Sequence, residues 1–204
     1  MRAMSDDVRQ FAPATARNRE PILEVLRRVL PARGLALELS SGSGEHAVFF
    51  ASHMSGLTWQ PSDPDPMARA SIAAWTATAA ATNVLPPLDI DVRNPAWPVT
   101  SADAVICINM IHIAPWVATA LLLAGARRVL GSEGVLYLYG PFRRDGQHTA
   151  PSNEAFDASL RARNPEWGVR DLGDVTAEAS RAGFGRPTVI PMPANNLSVV
   201  FAVL

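Results

Sequence analysis

Leu35-Ala36-Leu37-Glu38-Leu39-Ser40 runs into Gly42-Ser43-Gly44 and then into a helical pattern that lasts to about residue 55. A short buried strand, a glycine turn and a helix, in that order, open a parallel α/β sheet. The alternation continues: residues 57–62, 88–92, 104–109 and 134–139 read as strands, and 66–82, 116–130 and 174–182 read as helices. A helix over 18–30 precedes the first strand, with Pro21 in its first turn and Pro31 and Gly34 ending it. Residues 188–192 and 197–203 form the last two strands, separated only by 193–196. A parallel crossover needs roughly a dozen residues, so the last strand pairs antiparallel. The expected architecture is α/β and Rossmann-like. It has a mostly parallel seven-stranded sheet, helices on both faces and an antiparallel C-terminal strand.

The 204 residues suit one domain, with 1–17 as an N-terminal arm and 142–167 as an insert on the substrate side. The chain is 48% hydrophobic and 18% charged, which is globular composition. All 18 basic residues are arginine, which excludes Schiff-base and P-loop lysine chemistry. They nearly cancel the 19 acids, so the basic footprint of a nucleic-acid binder is missing. Cys107 is the single cysteine, and His46, His53, His112 and His148 lack metal-ligand spacing, so no metal is expected. The first residues do not read as a signal peptide, and no apolar run reaches the ~20 residues of a bilayer span. A cytoplasmic protein without membrane contact is the expectation.

Gly42-Ser43-Gly44-Glu45-His46-Ala47 matches G-x-G-x-x-A at a strand-to-helix turn, where glycine lets backbone come close to a ligand. Asp63 stands 19 residues past Gly44, at the end of the second strand, where a carboxylate can accept from both ribose hydroxyls. Together they point to an adenosine-containing ligand. A nicotinamide dinucleotide and S-adenosylmethionine both fit, and local charge separates them. Glu38 and Glu45 flank the loop. They would oppose a pyrophosphate and attract a sulfonium and an ammonium, by about 4 kcal/mol for a pair at ~4 Å and an effective dielectric near 20. Asp91, with Val92 beside it, closes the third strand and can receive the adenine amino group. Asn109 and Met110 close the fourth strand, where Met110 can wall the adenine and Asn109 can face the methyl group.

The acceptor side is expected to comprise His112, Tyr139, Asn195 and Asn196, all at or near strand ends facing the crevice. His112 reads either as a base or orienting group or as a histidine satisfied by backbone. The asparagine pair either caps the hairpin turn or binds ligand. Arg143-Arg144 could clamp an acidic substrate, and Arg17 could reach cofactor or substrate, although solvated arginines account for both.

Several stretches carry a more specific resemblance. Glu38-Leu39-Ser40-Ser41-Gly42-Ser43-Gly44-Glu45-His46, Trp59-Gln60-Pro61-Ser62-Asp63, Asn109-Met110-Ile111-His112-Ile113, Tyr139-Gly140-Pro141-Phe142, Asn164-Pro165-Glu166-Trp167-Gly168 and Met192-Pro193-Ala194-Asn195-Asn196-Leu197 are similar to the methyltransferase-like protein 26 family, of uncharacterised function. The resemblance runs from about Phe11 onward. It implies a class I S-adenosylmethionine-dependent methyltransferase fold, with Glu38, Gly42, Gly44, Asp63, Asp91, Asn109 and Met110 in the cofactor motifs and no substrate assigned. A methyltransferase acting on a small molecule is the leading expectation. A catalytically silent S-adenosylmethionine-binding module and an NAD-dependent oxidoreductase are the alternatives.

Overall fold

A computed structural model describes residues 7–79 and 81–204. The elements, in order, are α1 (Pro13–Val29), β1 (Gly34–Leu39), α2 (Glu45–His53), β2 (Leu57–Pro61), α3 (Pro66–Ala79), β3 (Ala102–Ile108), α4 (Trp116–Val129) and β4 (Leu130–Pro141). A two-residue ribbon follows, β5 (Arg143–Arg144) and β6 (Gln147–His148), then α5 (Pro151–Arg163), α6 (Leu172–Ala182), β7 (Thr188–Met192) and β8 (Asn196–Ala202). The main sheet has the order β2-β1-β3-β4-β8-β7. The first four of these strands run parallel, and β8 lies antiparallel between β4 and β7.

The pleat sends alternate side chains to two apolar layers. Leu37 and Leu39 of β1 pack with Leu122 and Leu123 of α4 and Val175 and Ala179 of α6. Ala36 faces the other way, with Ile22 and Leu26 of α1 and Phe50 of α2. Both faces of the sheet are therefore covered, which is why its strands read as nearly continuous apolar runs.

Two expectations are corrected. The sheet has six strands, because residues 88–92 do not form one. The stretch leading into it, 84–88, meets the β2 edge only through isolated bridges, Trp59 with Val84 and Ser62 with Leu88. Pro61, Pro86 and Pro87 have no N–H to give along this edge, and a continuous ladder cannot form. The Gln60 amide instead donates to the Pro86 carbonyl at 2.8 Å. The first helix also begins earlier, at Pro13, and places Pro21 inside it. A distant carboxylate caps it: Glu45 accepts from the Ala12 N–H at 2.6 Å. Part of the expected arm is thus helix.

Candidate functional site

The site grows from the turn after β1. Ser40, Gly42 and Gly44 all have left-handed backbone, with φ of 53°, 56° and 90°. The two glycines serve different needs. A Cβ on Gly44 would lie 2.7 Å from the Ile72 Cα, so α2 can start against α3 only if that residue has no side chain. A Cβ on Gly42 would meet nothing within 4 Å; that backbone faces open space in the crevice.

Side chains from two further elements hold the turn. Asp63 accepts from the Gly42 N–H at 3.0 Å through one carboxylate oxygen and from the Asp65 N–H at 2.9 Å through the other. It is only 7% exposed yet lines the cleft, and each oxygen keeps a lone-pair site for a ligand hydroxyl. Ser71 of α3 donates to the Ser43 carbonyl at 2.6 Å. Glu45 does not point into solvent: besides capping α1 it accepts from the Ser43 hydroxyl at 3.0 Å.

Glu38 lies behind the turn rather than on the cleft wall. It is buried on the sheet face of Ala36 and Ile106, and its carboxyl accepts from the Trp59 indole N–H at 2.6 Å. Burial, with a smaller push from the nearby Asp63 charge, raises the Glu38 carboxyl to about 7, against the Trp59 hydrogen bond that lowers it. Such a group binds more protons folded than unfolded, so its contribution to stability declines as pH climbs from the ordinary glutamate value of 4.5 toward 7. Glu38→Gln should therefore gain on the parent by up to ~3 kcal/mol above pH 7 and by little at pH 4. Urea unfolding at the two pH values checks this; an equal difference at both would contradict it.

A cleft of about 520 Å³ opens at the carboxyl ends of β1, β2 and β3. Gly42, Asp63, Asp91, Val92 and Met110 line it together. Asp91 is held by Arg93, whose guanidinium lies 2.6 Å away and lowers the Asp91 pKa through hydrogen bonds. Ser40, Ile113, Glu166 and Trp167 also line the cleft; the sequence marks them only as parts of the family-like stretches, with no role attached. Trp167 and Glu166 lie beyond α5, distant in sequence from the glycine turn.

A second cavity, of about 750 Å³, adjoins the first. Asn109, Tyr139 and Asn196 line it, along with Arg17 and Asn18 of α1 and Asn153 and Phe156 of α5. The tail of β3 separates the two cavities. Met110 and Ile108 face the first, Asn109 faces the second, and Ile113 touches both. Asn109 is itself left-handed, at φ 63°, and its N–H donates to the Tyr139 carbonyl at 2.8 Å. A non-glycine residue held in that region at a cavity boundary is positioned backbone. Burial pushes the Tyr139 phenol above its ordinary value, and the Asn18 side chain offsets part of that.

Two expected acceptor residues lie elsewhere. His112 is fully buried behind the second cavity, in a single helical turn over Met110–His112. Its Nδ1 accepts from the Arg170 N–H at 3.2 Å, which places the proton on Nε2. Desolvation, then the Arg170 charge, drives the imidazole down to about 3, so it is neutral throughout the ordinary pH range. Enclosed and outside the lining of both cavities, it anchors the β3 tail to the segment after α5, since its carbonyl also accepts from Gly168 at 2.9 Å. The C2 proton resonance of His112 should show no titration above pH 4, and a midpoint near 6.5 would refute this. Asn195 uses its side chain on Ser152 and its carbonyl on Asn153, which makes it a turn residue at φ 58°. Among the described residues, no group of three or more His, Cys, Asp or Glu side chains is placed to hold a metal. No described helix is long and apolar enough to cross a membrane.

A crevice outside the carboxyl ends of parallel strands, with an antiparallel last strand inserted beside β4, defines a Rossmann-like α/β fold of the methyltransferase type. Solved structures share it. Human N-acetylserotonin methyltransferase in complex with SAM superposes with a TM-score of 0.79 at 15% identity, covering 93% of this chain and 52% of that one. An O-methyltransferase family protein from Burkholderia thailandensis gives 0.78 at 16%, covering 93% and 57%. CalO1, a methyltransferase in calicheamicin biosynthesis crystallised with SAH, gives 0.75 at 17%, covering 94% and 55%. The chain spans a little over half the length of these structures. It belongs to the family described as protein of unknown function (DUF938), which it matches over residues 9–203.

Proposed function

We propose that this chain is an S-adenosylmethionine-dependent methyltransferase acting on a small-molecule acceptor, and a member of the methyltransferase-like protein 26 family. One observation carries the reading: two cavities of ligand size meet at Asn109–Ile113, one walled by the glycine turn and Asp63, the other by polar side chains and an apolar flank without a carboxylate. A two-substrate transfer needs this arrangement. The solved neighbours crystallised with SAM or SAH support the choice of cofactor.

The residues present fit the cofactor. Gly42 leaves backbone room for it, and Asp63 retains acceptor sites for ribose hydroxyls. Val92 and Met110 supply apolar walls for a purine, and the Asp91 carboxylate lies beside them. When bound, the cofactor supplies an activated methyl group on a sulfonium. The protein's part is alignment, worth effective molarities of ~10⁵–10⁸ M for well-oriented reactants. Asn109 orients the acceptor from the cavity boundary, and Glu38 places an ionisable carboxyl behind the turn. A cationic ligand favours its ionised form, so cofactor binding should strengthen as pH rises through 7.

Calorimetric titration with S-adenosylhomocysteine and with NADH tests the reading. Binding of the nucleoside thioether supports it. Binding of NADH alone overturns it in favour of an oxidoreductase. A screen with labelled methyl groups then separates a working enzyme from a silent binder.

A further inference from the structure

We propose that the methyl acceptor is a small organic monoanion that also carries an O–H or N–H donor, with its negative charge held by Arg17. The proposal rests on the methyltransferase reading and names the substrate class of the second cavity. That cavity is lined by a single charged side chain among the described residues, Arg17. No described carboxylate lines it, so an ammonium-bearing substrate would find no counter-ion there.

Arg17 is exposed at the rim, and it makes no hydrogen bond or ion pair with a described residue. Arg69, Arg93 and Arg161, by contrast, are engaged with Asp89, Asp91 and Asp157. Ala14, Arg17 and Asn18 share one face of α1 at the three- and four-residue spacing, and that face looks onto the cavity. The early start of α1, fixed by the Glu45 cap, is what puts Arg17 on a rigid turn of helix.

Two of the neutral groups, Asn153 and Asn196, narrow the choice further. The Asn153 amide nitrogen is spent on the Thr149 hydroxyl at 3.0 Å and the Asn195 carbonyl at 2.9 Å. The Asn196 amide nitrogen is spent on the Pro193 and Ala194 carbonyls, at 3.1 and 3.3 Å. Both residues therefore have only carbonyl oxygens left to offer, which accept and do not donate. A ligand hydroxyl or N–H satisfies them. Ile113, Pro141 and Phe156 form an apolar flank for a flat or aliphatic body. A cation, free acceptors and an apolar flank in one cavity suit a hydroxylated or amino-substituted carboxylate.

The test uses the full chain saturated with S-adenosylhomocysteine, and measures binding of 4-hydroxybenzoate, 4-hydroxybenzamide and benzoate by calorimetry. 4-Hydroxybenzoate should bind at least about tenfold more tightly than its neutral amide, and more tightly than benzoate, which lacks the donor. Arg17→Gln should abolish the preference over the amide. Equal or tighter binding of the amide overturns the proposal, as does failure of all three probes on a chain that binds S-adenosylhomocysteine. Equal binding of benzoate overturns the donor requirement. If Arg17→Gln weakens S-adenosylhomocysteine binding and leaves 4-hydroxybenzoate unchanged, Arg17 serves the cofactor and the proposal falls. Failure of the parent chain to bind S-adenosylhomocysteine at all is a different result: it overturns the methyltransferase reading itself, and the acceptor assignment with it.

Discussion

Asp63→Ala is expected to weaken S-adenosylhomocysteine binding by about 30- to 1,000-fold. Two losses combine. The variant removes the acceptor for ribose hydroxyls, and hydrogen bonds to a charged partner are each worth about 1.5–3 kcal/mol. It also releases the turn, since Asp63 bridges the Gly42 and Asp65 N–H groups. The second loss should appear without ligand, as about 1–3 kcal/mol of lower stability from N–H groups left without their partner. Asp63→Asn separates the two. Its one remaining carbonyl oxygen can hold Gly42 or Asp65 but not both with full strength, so it should recover part of the stability and little of the affinity. Calorimetry and urea unfolding on both variants provide the readings. An unchanged dissociation constant for Asp63→Ala would remove Asp63 from the cofactor site.

The glycines of the same turn give the second large effect, through contrast. At Gly44 the added methyl strikes the Ile72 backbone at 2.7 Å and its Cγ1 at 2.9 Å, in a residue at φ 90°. Neither contact can be relieved by rotating a side-chain tip. Gly44→Ala should cost roughly 3 kcal/mol or more from overpacking and backbone strain, which lowers Tm by about 6–12 °C for a chain of this size. Gly42→Ala should behave differently. Its φ of 56° imposes a cost of about 1 kcal/mol, yet its methyl enters open space. That variant should fold, keep most of its Tm, and lose S-adenosylhomocysteine affinity by tenfold or more because the methyl occupies ligand space. Full retention of affinity by Gly42→Ala would show that the cleft beside it is not the cofactor site.

The contrast between these glycines also marks what is legible in a sequence. Both match the same motif, and nothing in the spacing distinguishes a packing glycine from a ligand-facing one; that depends on α3, whose Ile72 lies far along the chain. The strands of the sheet core were legible because burial on both faces forces near-continuous apolar runs, as in residues 104–108. The antiparallel final strand was legible from the shortness of its connection. Residues 88–92 misled because hydrophobic alternation does not register the missing donors of Pro61, Pro86 and Pro87. The start of α1 was invisible for a related reason: its capping carboxylate comes from Glu45, 33 positions away. His112 sits in a favourable place in the order of elements, but what decides its chemistry is the Arg170 backbone, 58 positions away, and complete enclosure. Local patterns carry the elements; long-range partners decide which polar residues are free.

The position of β8 has a consequence for how the molecule is made. The strand is last among those described, yet it fills the slot between β4 and β7, pairing with Tyr137 and Tyr139 on one side and with Val189 and Ile190 on the other. Until residues 196–202 are available, β4 carries an open ladder edge, and β7 has no partner in the sheet. The parallel half can assemble first, but the two edges around the vacant slot remain sticky until β8 docks. A chain with β8 undocked displays a nearly complete, aggregation-prone half-sheet. Substitutions that weaken the pairing of β8 should therefore show as aggregation during refolding before they show as a loss of finished fold.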